Sequence, residues 1–237
     1  MHDIGNTVTE GGRGTGRRWL AGLLAAVALL AGLLTLGSPA QAVDLPWGPY
    51  TCATGYVWRE AVPGDQVCVT PQTRSDTQTE NALGPSRRES NGFCKVGFVW
   101  RETRPSDLVC VFPSSRDRAY SDNANAPWRL ADPGATPRGG VSVSTTYDLG
   151  GGHLYATGSG LSANRPVRFY AVRINTVGPF SLGSLTANAS GAISGWQHVT
   201  YISCRSGQTQ PAIIVVLDQG SGVVTTAGTT DAFRHCG

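Results

Sequence analysis

A cysteine-bounded segment occurs twice in this chain, 42 residues apart. The first copy starts Cys-Ala-Thr-Gly-Tyr-Val-Trp-Arg-Glu at Cys52 and reaches Cys68, and the second starts Cys-Lys-Val-Gly-Phe-Val-Trp-Arg-Glu at Cys94 and reaches Cys110. A period of about 20 to 50 residues is typical of a repeated structural unit. The copies share 17 of 36 aligned positions, so they separate the positions that the unit keeps from those that it changes.

The N-terminus has the three parts of an export signal. Arg13, Arg17 and Arg18 precede an apolar run over 19–36, and a small-x-small site ends at Ala42. We predict a signal peptide over 1–42, cleaved after Ala42, and a secreted protein with no stable membrane insertion afterwards. The alternative is an uncleaved anchor, because the run has the minimum length for spanning a bilayer. The adjacent arginines leave twin-arginine export open beside general export.

All six cysteines lie in the predicted mature part, and an even number behind an export signal indicates disulfides. Because each copy carries its own pair at the same spacing, we expect three bonds: Cys52–Cys68, Cys94–Cys110 and Cys204–Cys236. Zinc is the alternative, but no Cys-x-x-Cys pair occurs and the mature histidines are scattered. We therefore expect no metal and no cofactor.

The charge of the chain excludes one class of partner. The whole chain carries a formal net charge of +3, with acidic and basic residues interspersed. Nucleic-acid binding depends on a strong excess of basic residues, and the excess here is too small to indicate such a partner. We expect no nucleic-acid partner, and the oligomeric state stays open.

Each repeat predicts a small hairpin. Residues 55–60 have the pattern of a strand, Pro63-Gly64-Asp65 forms a turn and 67–69 form the returning strand. Ser106 stands where the first copy has Gly64, so a type I turn suits both copies. The aspartates of the turns are expected to accept hydrogen bonds from turn amides.

A helix is predicted after each hairpin. Thr70 can cap it and Pro71 can occupy its first position, with Gly84-Pro85 ending it. The second copy offers a helix over 113–125, ended by Pro127. A unit this small buries little apolar surface, so we expect the copies to pack on each other or on the C-terminal domain.

Seven short strand candidates follow a segment of linker composition. They are Val141–Tyr147, His153–Thr157, Val167–Arg173, Leu182–Ala187, Ala192–Val199, Ala212–Leu217 and Val223–Thr226. The predicted organisation is repeat 1 over 43–91, repeat 2 over 92–130, a linker over 131–140 and a strand-rich domain over 141–237. Seven strands in a domain of this size suggest an immunoglobulin-like sandwich.

Two resemblances accompany these patterns. The run Val-Trp-Arg-Glu followed by Pro-x-Asp-x-Val-Cys-Val-x-Pro, in both copies, resembles a tandem repeat of secreted actinobacterial proteins. It implies an extracellular habitat and a fold unit, with no established activity. Residues 156–169 resemble the second and third strands of Ig-like domains in secreted bacterial proteins. The expected fold is mainly β with short helices: two disulfide-closed β-hairpin-plus-helix repeats followed by an Ig-like β-sandwich.

The Trp-Arg-Glu triplets have two interpretations. In the structural one, Trp58 and Trp100 lie in a small core and Arg59 pairs with a carboxylate or with helix carbonyls. In the other, each tryptophan and a neighbouring aromatic ring form a platform for a sugar, with Arg and Glu binding its hydroxyls. The candidate ligand-binding residues are Tyr56, Trp58, Arg59, Glu60, Phe98, Trp100, Arg101 and Glu102.

Three functional classes follow. The first is a secreted, non-catalytic binding module for polysaccharide or other cell-envelope material. The second is a structural or protein-interaction role, as a spacer or an inhibitor-like protein bound to an extracellular protein. The third, an enzyme, is not expected, because neither Gly-x-Ser-x-Gly nor His-Glu-x-x-His occurs. We assign His153 and His198 to strands and His235 to the neighbourhood of Cys236.

Overall fold

The structure, a computed structural model, describes residues 45–148, 151–173, 178–199 and 211–230. The predicted signal peptide and its cleavage site lie outside these residues, as do Cys204, Cys236 and His235. Within the described ranges, no helix combines the length and the apolar character needed to cross a bilayer. The described residues belong to one compact unit, which is mainly β with a few short helices.

Each repeat forms a short antiparallel hairpin. Strand β1 (Val57–Trp58) pairs with β2 (Cys68–Val69), and β3 (Val99–Trp100) pairs with β4 (Cys110–Val111) in the same register. The two disulfides predicted within the repeats, Cys52–Cys68 and Cys94–Cys110, are both present. Disulfides of this kind are compatible with an extracellular protein.

The first hairpin strand is shorter than predicted. Glu60 and Glu102 have φ of 55° and 56°, so the chain leaves the extended conformation directly after the arginine in both copies. It turns there because Ala61 N–H donates to Asp65 Oδ2 at 3.0 Å, which wraps the backbone around that carboxylate. Of the strand predicted over 55–60, only Val57–Trp58 is present: Gly55 lies in a turn with φ 89°, and Glu60 does not continue the strand face of Trp58.

The turns of the two copies also differ. In the first copy Asp65 N–H donates to Val62 O at 3.0 Å and Gly64 has φ 75°, which is typical of a type II turn. In the second copy the same turn bond is present, but Ser106 stays out of the left-handed region. The single type I turn predicted for both copies is wrong for the first, because glycine there makes positive φ accessible.

The helices follow the sequence signals closely. Helix α1 (Pro71–Leu83) is capped by Thr70, whose Oγ1 accepts from Thr73 N–H at 3.2 Å, and it ends at Gly84. Helix α2 (Pro113–Ala124) begins without a side-chain cap. It is followed at once by the four-residue helix α3 (Ala126–Arg129), so Pro127 lies inside a further helix instead of ending the repeat.

The C-terminal part contains two antiparallel sheets, with all seven predicted strands present. They are β5 (Val141–Asp148), β6 (Gly151–Gly158), β7 (Pro166–Val172), β8 (Phe180–Thr186), β9 (Ile193–Val199), β10 (Ala212–Asp218) and β11 (Val223–Thr230). One sheet has the order β5-β6-β9 and the other β11-β10-β7-β8. Inward side chains of both sheets, including Leu154 and Phe169, form one buried hydrophobic cluster.

The segment 131–140 is packed, although its composition predicted a linker. Gly139 N–H donates to Thr226 O at 3.0 Å and Thr226 N–H donates to Pro137 O at 2.9 Å. Arg138 thus forms a single parallel bridge to Thr226 of β11, at the edge of the four-stranded sheet. The connection between the repeats and the strands is therefore held against that edge at this point.

The repeats pack on the C-terminal sheets as well as on each other. Val67, Cys68 and Val69 of the first hairpin share a buried cluster with Tyr170 and Leu217 of the four-stranded sheet. The hairpin and the turn before β11 pack closely, since a Cβ added at Gly222 would lie only 2.6 Å from Val67 Cγ2. The small apolar area of the first hairpin is thus buried against a larger partner, as expected for a unit too small to form a core alone.

Candidate binding cleft of the first repeat

The arginine of the first triplet is buried and reaches the second repeat. Arg59 is 1% exposed. Its Nε and Nη2 donate to the Asp65 carboxylate at 2.8 and 3.1 Å. Its Nη2 also donates to Asn123 Oδ1 at 2.9 Å, and its Nη1 donates to Ala119 O at 3.3 Å. Because Ala119 and Asn123 belong to α2, this arginine joins the first hairpin to the second helix.

Arg101 makes the same connection in the opposite direction. Its Nε and Nη2 donate to Asp107 at 2.8 and 3.1 Å, and Nη2 donates to Asn81 Oδ1 at 2.8 Å. Its Nη1 donates to Thr77 O at 3.4 Å. Thr77 and Asn81 lie on α1, 42 residues before the positions that Arg59 contacts. Each hairpin therefore holds the helix of the other copy, an arrangement we call the reciprocal arginine lock.

These contacts correct part of the sequence prediction. Arg59 and Arg101 were candidates for ligand binding, but their guanidinium groups are buried and fully engaged with protein acceptors. The structural interpretation, an arginine paired with a carboxylate and with helix carbonyls, describes both residues. Burial of Asp107 acts to raise the pKa of its carboxyl, but hydrogen bonds and charge from Arg101, with hydrogen bonds from Thr103, hold that pKa below its ordinary value.

The two tryptophans are half-buried, so neither simple interpretation applies to them. Trp58 packs beside the cluster under the first hairpin, and its Nε1 donates to Tyr50 O at 2.8 Å. Trp100 stacks on Phe93 with ring centroids 6.2 Å apart, and its Nε1 has no hydrogen-bond partner among the described residues. The two copies therefore use the same residue in different surroundings.

An open cleft of about 660 Å³ lies against the exposed edge of Trp58. Its aromatic walls are Trp47, Tyr56 and Trp58, and Trp47 is 71% exposed. The guanidinium of Arg129 lies 5.5 Å from the Tyr56 ring centroid and holds that ring in place. The cleft thus combines fixed aromatic side chains with one that is free to adjust.

The charged pair Glu60 and Arg74 also lines the cleft. Their side chains form an ion pair through Arg74 Nη2 and Glu60 Oε2, and both are more than one-third exposed. Positive φ at Glu60 directs its carboxylate back toward α1, where Arg74 lies. The cleft therefore presents a carboxylate acceptor and guanidinium donors next to aromatic surface.

The second repeat does not reproduce this cleft. Phe98 packs against Phe112 with centroids 4.9 Å apart, and Glu102 binds Arg165 of the strand-rich part at 3.1 Å. Of the eight candidate residues, Tyr56, Trp58 and Glu60 line the cleft. Phe98, Trp100 and Glu102 lie elsewhere, in the second hairpin.

Sequence reasoning missed two lining residues, Trp47 and Arg74. Trp47 precedes Cys52, where the aligned segment of the first copy begins, and the position 42 residues later is Glu89, so the internal alignment contains no signal for it. Arg74 is conserved between the copies as Arg116, but its approach to Glu60 depends on the turn that the strand prediction did not contain.

The described residues contain no group of three or more His, Cys, Asp or Glu side chains placed to hold a metal ion. No protein-family model, curated protein or solved structure matches this chain. Fold and site together define a disulfide-bonded, mainly β protein with an aromatic cleft beside one of its two repeats.

Proposed function

We propose that this chain is a secreted, non-catalytic binding protein that recognises a polysaccharide of a cell envelope through the cleft of its first repeat. The observation that carries this proposal is the side-by-side placement of Trp47, Tyr56 and Trp58 with the Glu60–Arg74 pair. In this proposal the second repeat and the C-terminal sheets form the scaffold.

The chemistry of the cleft suits a sugar. The faces of sugar rings carry C–H groups that pack on aromatic rings, while their hydroxyls both donate and accept hydrogen bonds. Glu60 supplies acceptors and Arg74 supplies donors at the same rim. A cleft of about 660 Å³ lies within the usual size range of small-ligand sites and accommodates a short saccharide.

The finer description of the fold belongs to the same proposal. We infer that the C-terminal part is an Ig-like sandwich, and the strand orders β5-β6-β9 and β11-β10-β7-β8 support this. We also infer that the hairpin-plus-helix units belong to the tandem repeats of secreted actinobacterial proteins, which the two intra-repeat disulfides support.

A structural or protein-interaction role is the second candidate. The reciprocal arginine lock favours it, because it gives packing roles to Arg59, Asp65 and Asn123 and their counterparts in the second copy. Under this alternative the cleft is only the space between the first hairpin and the segment before it. The two candidates therefore differ in whether the cleft binds anything.

The test is retention of the secreted chain on purified cell-wall polysaccharide. Trp47→Ala removes an exposed wall and should raise Kd about tenfold or more, as truncation of an aromatic anchor does. Trp196→Ala is the matched control, because Trp196 is also an exposed tryptophan but lies on β9. Equal retention of both variants would support the structural alternative.

A further inference from the structure

The second repeat exposes apolar side chains where the first repeat has threonine. The aligned pairs are Thr51 and Phe93, Thr54 and Val96, and Thr70 and Phe112. Phe93 is 61% exposed, Val96 99% and Phe112 52%. In the first copy Thr54 and Thr70 are also exposed, whereas Thr51 is buried, so the second copy is more apolar at two shared surface positions and exposes a third residue at a position that the first copy covers.

Folding of the unit does not explain these apolar residues. The first copy forms the same hairpin, in the same register and with the same disulfide, while carrying threonine at each position. Thr70 even supplies a helix cap that Phe112 cannot supply. An exposed apolar cluster that the fold does not need marks an interaction surface.

The exposed residues continue into a larger patch. Phe93 stacks on Trp100, and Phe112 packs against Phe98, which is two residues before Trp100 in the sequence. We call Phe93, Val96, Phe98, Trp100 and Phe112 the apolar tip. Val96 lies in the turn that begins this hairpin, next to Gly97 with φ 89°, and has almost no contact with the rest of the protein.

Basic side chains accompany the apolar tip, one in contact with its rings and two exposed in the same part of the chain. The Arg87 guanidinium lies 5.0 Å from the Phe98 ring centroid and 5.2 Å from that of Phe112. Lys95 and Arg88 are exposed, and their charged ends donate to Ser86 O at 2.8 Å and Leu108 O at 2.7 Å, which leaves further donors on both groups. The position aligned with Lys95 in the first copy is Ala53. Glu89 is the single acidic residue between 86 and 101. The surroundings of the tip therefore favour an anionic partner.

We propose that the apolar tip is an interfacial anchor that binds an anionic lipid surface without spanning it. Phe93, Val96 and Phe112 enter the boundary between headgroups and acyl chains, while the basic side chains contact lipid phosphates. We choose a lipid surface because Phe93 in a bend, Val96 in a turn and Phe112 at the start of α2 are all exposed. Exposed basic side chains, Lys95 and Arg88, belong to the same part of the chain. This proposal uses a different surface from the cleft and does not depend on it.

The test is flotation of the secreted chain with vesicles of phosphatidylglycerol and phosphatidylcholine, compared with vesicles of phosphatidylcholine alone. The triple variant Phe93→Thr, Val96→Thr, Phe112→Thr gives the second repeat the residues of the first. We expect binding to the anionic vesicles to fall about tenfold or more, with an unchanged melting temperature. Lys95→Ala should weaken binding at low salt and matter less at high salt.

Trp196→Thr removes an exposed aromatic residue far along the chain from the tip and should bind vesicles as the parent does. Equal binding of parent and triple variant would overturn the proposal. So would equal binding to both kinds of vesicle, or a parent chain that binds no vesicles. If the triple variant unfolds, Val96→Thr alone tests the same surface, because Val96 is 99% exposed.

Discussion

Removing one arginine of the reciprocal lock should unfold the protein at a much lower denaturant concentration. In Arg101→Met the aliphatic part of the side chain is retained, but Asp107 loses a two-bond partner and Asn81 Oδ1 loses its donor. Breaking a buried ion pair from one side costs about 3–5 kcal/mol. Asp107 still accepts from Thr103 N–H at 3.1 Å and Thr103 Oγ1 at 2.6 Å, so we expect the lower end, about 3 kcal/mol.

Urea unfolding followed by tryptophan fluorescence measures this loss. The matched control is Arg118→Met, which breaks an exposed ion pair with Asp76 and should cost less than about 1 kcal/mol. Arg59→Met breaks the other half of the lock and should cost about as much as Arg101→Met. A loss below about 1 kcal/mol for both buried arginines would refute the reasoning, because the free energy would then be no larger than that of a surface pair.

Hydrogen exchange adds a directional test of the same lock. Arg59 contacts α2, so Arg59→Met should raise amide exchange in 113–124 of the second repeat. Arg101 contacts α1, so Arg101→Met should raise exchange in 71–83 of the first. If each variant loosened only its own repeat, the reciprocal arrangement would be wrong.

Two further predictions concern the packing and the pH response. Gly222→Ala should lower the free energy of unfolding in urea by at least about 2 kcal/mol, because its Cβ would lie 2.6 Å from Val67 Cγ2 and the residue has φ 71°. The control Gly64→Ala, at φ 75° with no atom near its Cβ, should lower it by only about 1 kcal/mol. Equal losses in the two variants would contradict close packing at Gly222. The pKa of Asp107 is lower in the folded state than in the unfolded state, where it is about 3.9. Asp107 therefore stabilises the fold at any pH above about 3.9, and this stabilisation is lost as the pH falls from there through the pKa of the folded state. Asp107→Asn should therefore be less stable than the parent at pH 7, with the difference shrinking toward pH 3; a constant difference would contradict the assignment.

Local signals in the sequence predicted the local structure. The Cys52–Cys68 spacing, the Thr70-Pro71 helix start and the alternating runs of the C-terminal part each act over a few residues, and each corresponds to an element of the structure. The third pair, Cys204–Cys236, lies outside the described residues and stays a prediction.

The packing of the two repeats could not be predicted, because it depends on contacts between residues that are far apart in the sequence. Arg59 and Asn123 are 64 residues apart in sequence, so nothing near either one indicates their hydrogen bond. The alignment shows that both copies keep an asparagine, at Asn81 and Asn123. The structure gives the reason, because each asparagine accepts a hydrogen bond from the arginine of the other hairpin. Positive φ at Glu60 was equally hidden, because glutamate rarely adopts that conformation.

The sequence likewise identified some of the cleft residues and missed others. Tyr56, Trp58 and Glu60 were identified from the hairpin motif, whereas Trp47 lies before Cys52 and Arg74 lies on helix α1 after the hairpin. Arg59 does not line the cleft but is buried against α2, because the strand pattern gives the spacing of side chains along the chain but not which side of the hairpin is covered by a helix.

The measurement that tests the central claim most directly is a titration of the secreted chain with a soluble fragment of cell-wall polysaccharide, comparing Trp58→Ala with Trp100→Ala. Both variants remove the same half-buried residue from equivalent hairpins, but only Trp58 lines the cleft. We predict that Trp58→Ala raises Kd about tenfold or more while Trp100→Ala leaves it within about twofold. Equal effects of the two variants, or no binding by the parent chain, would contradict a glycan site in the first repeat.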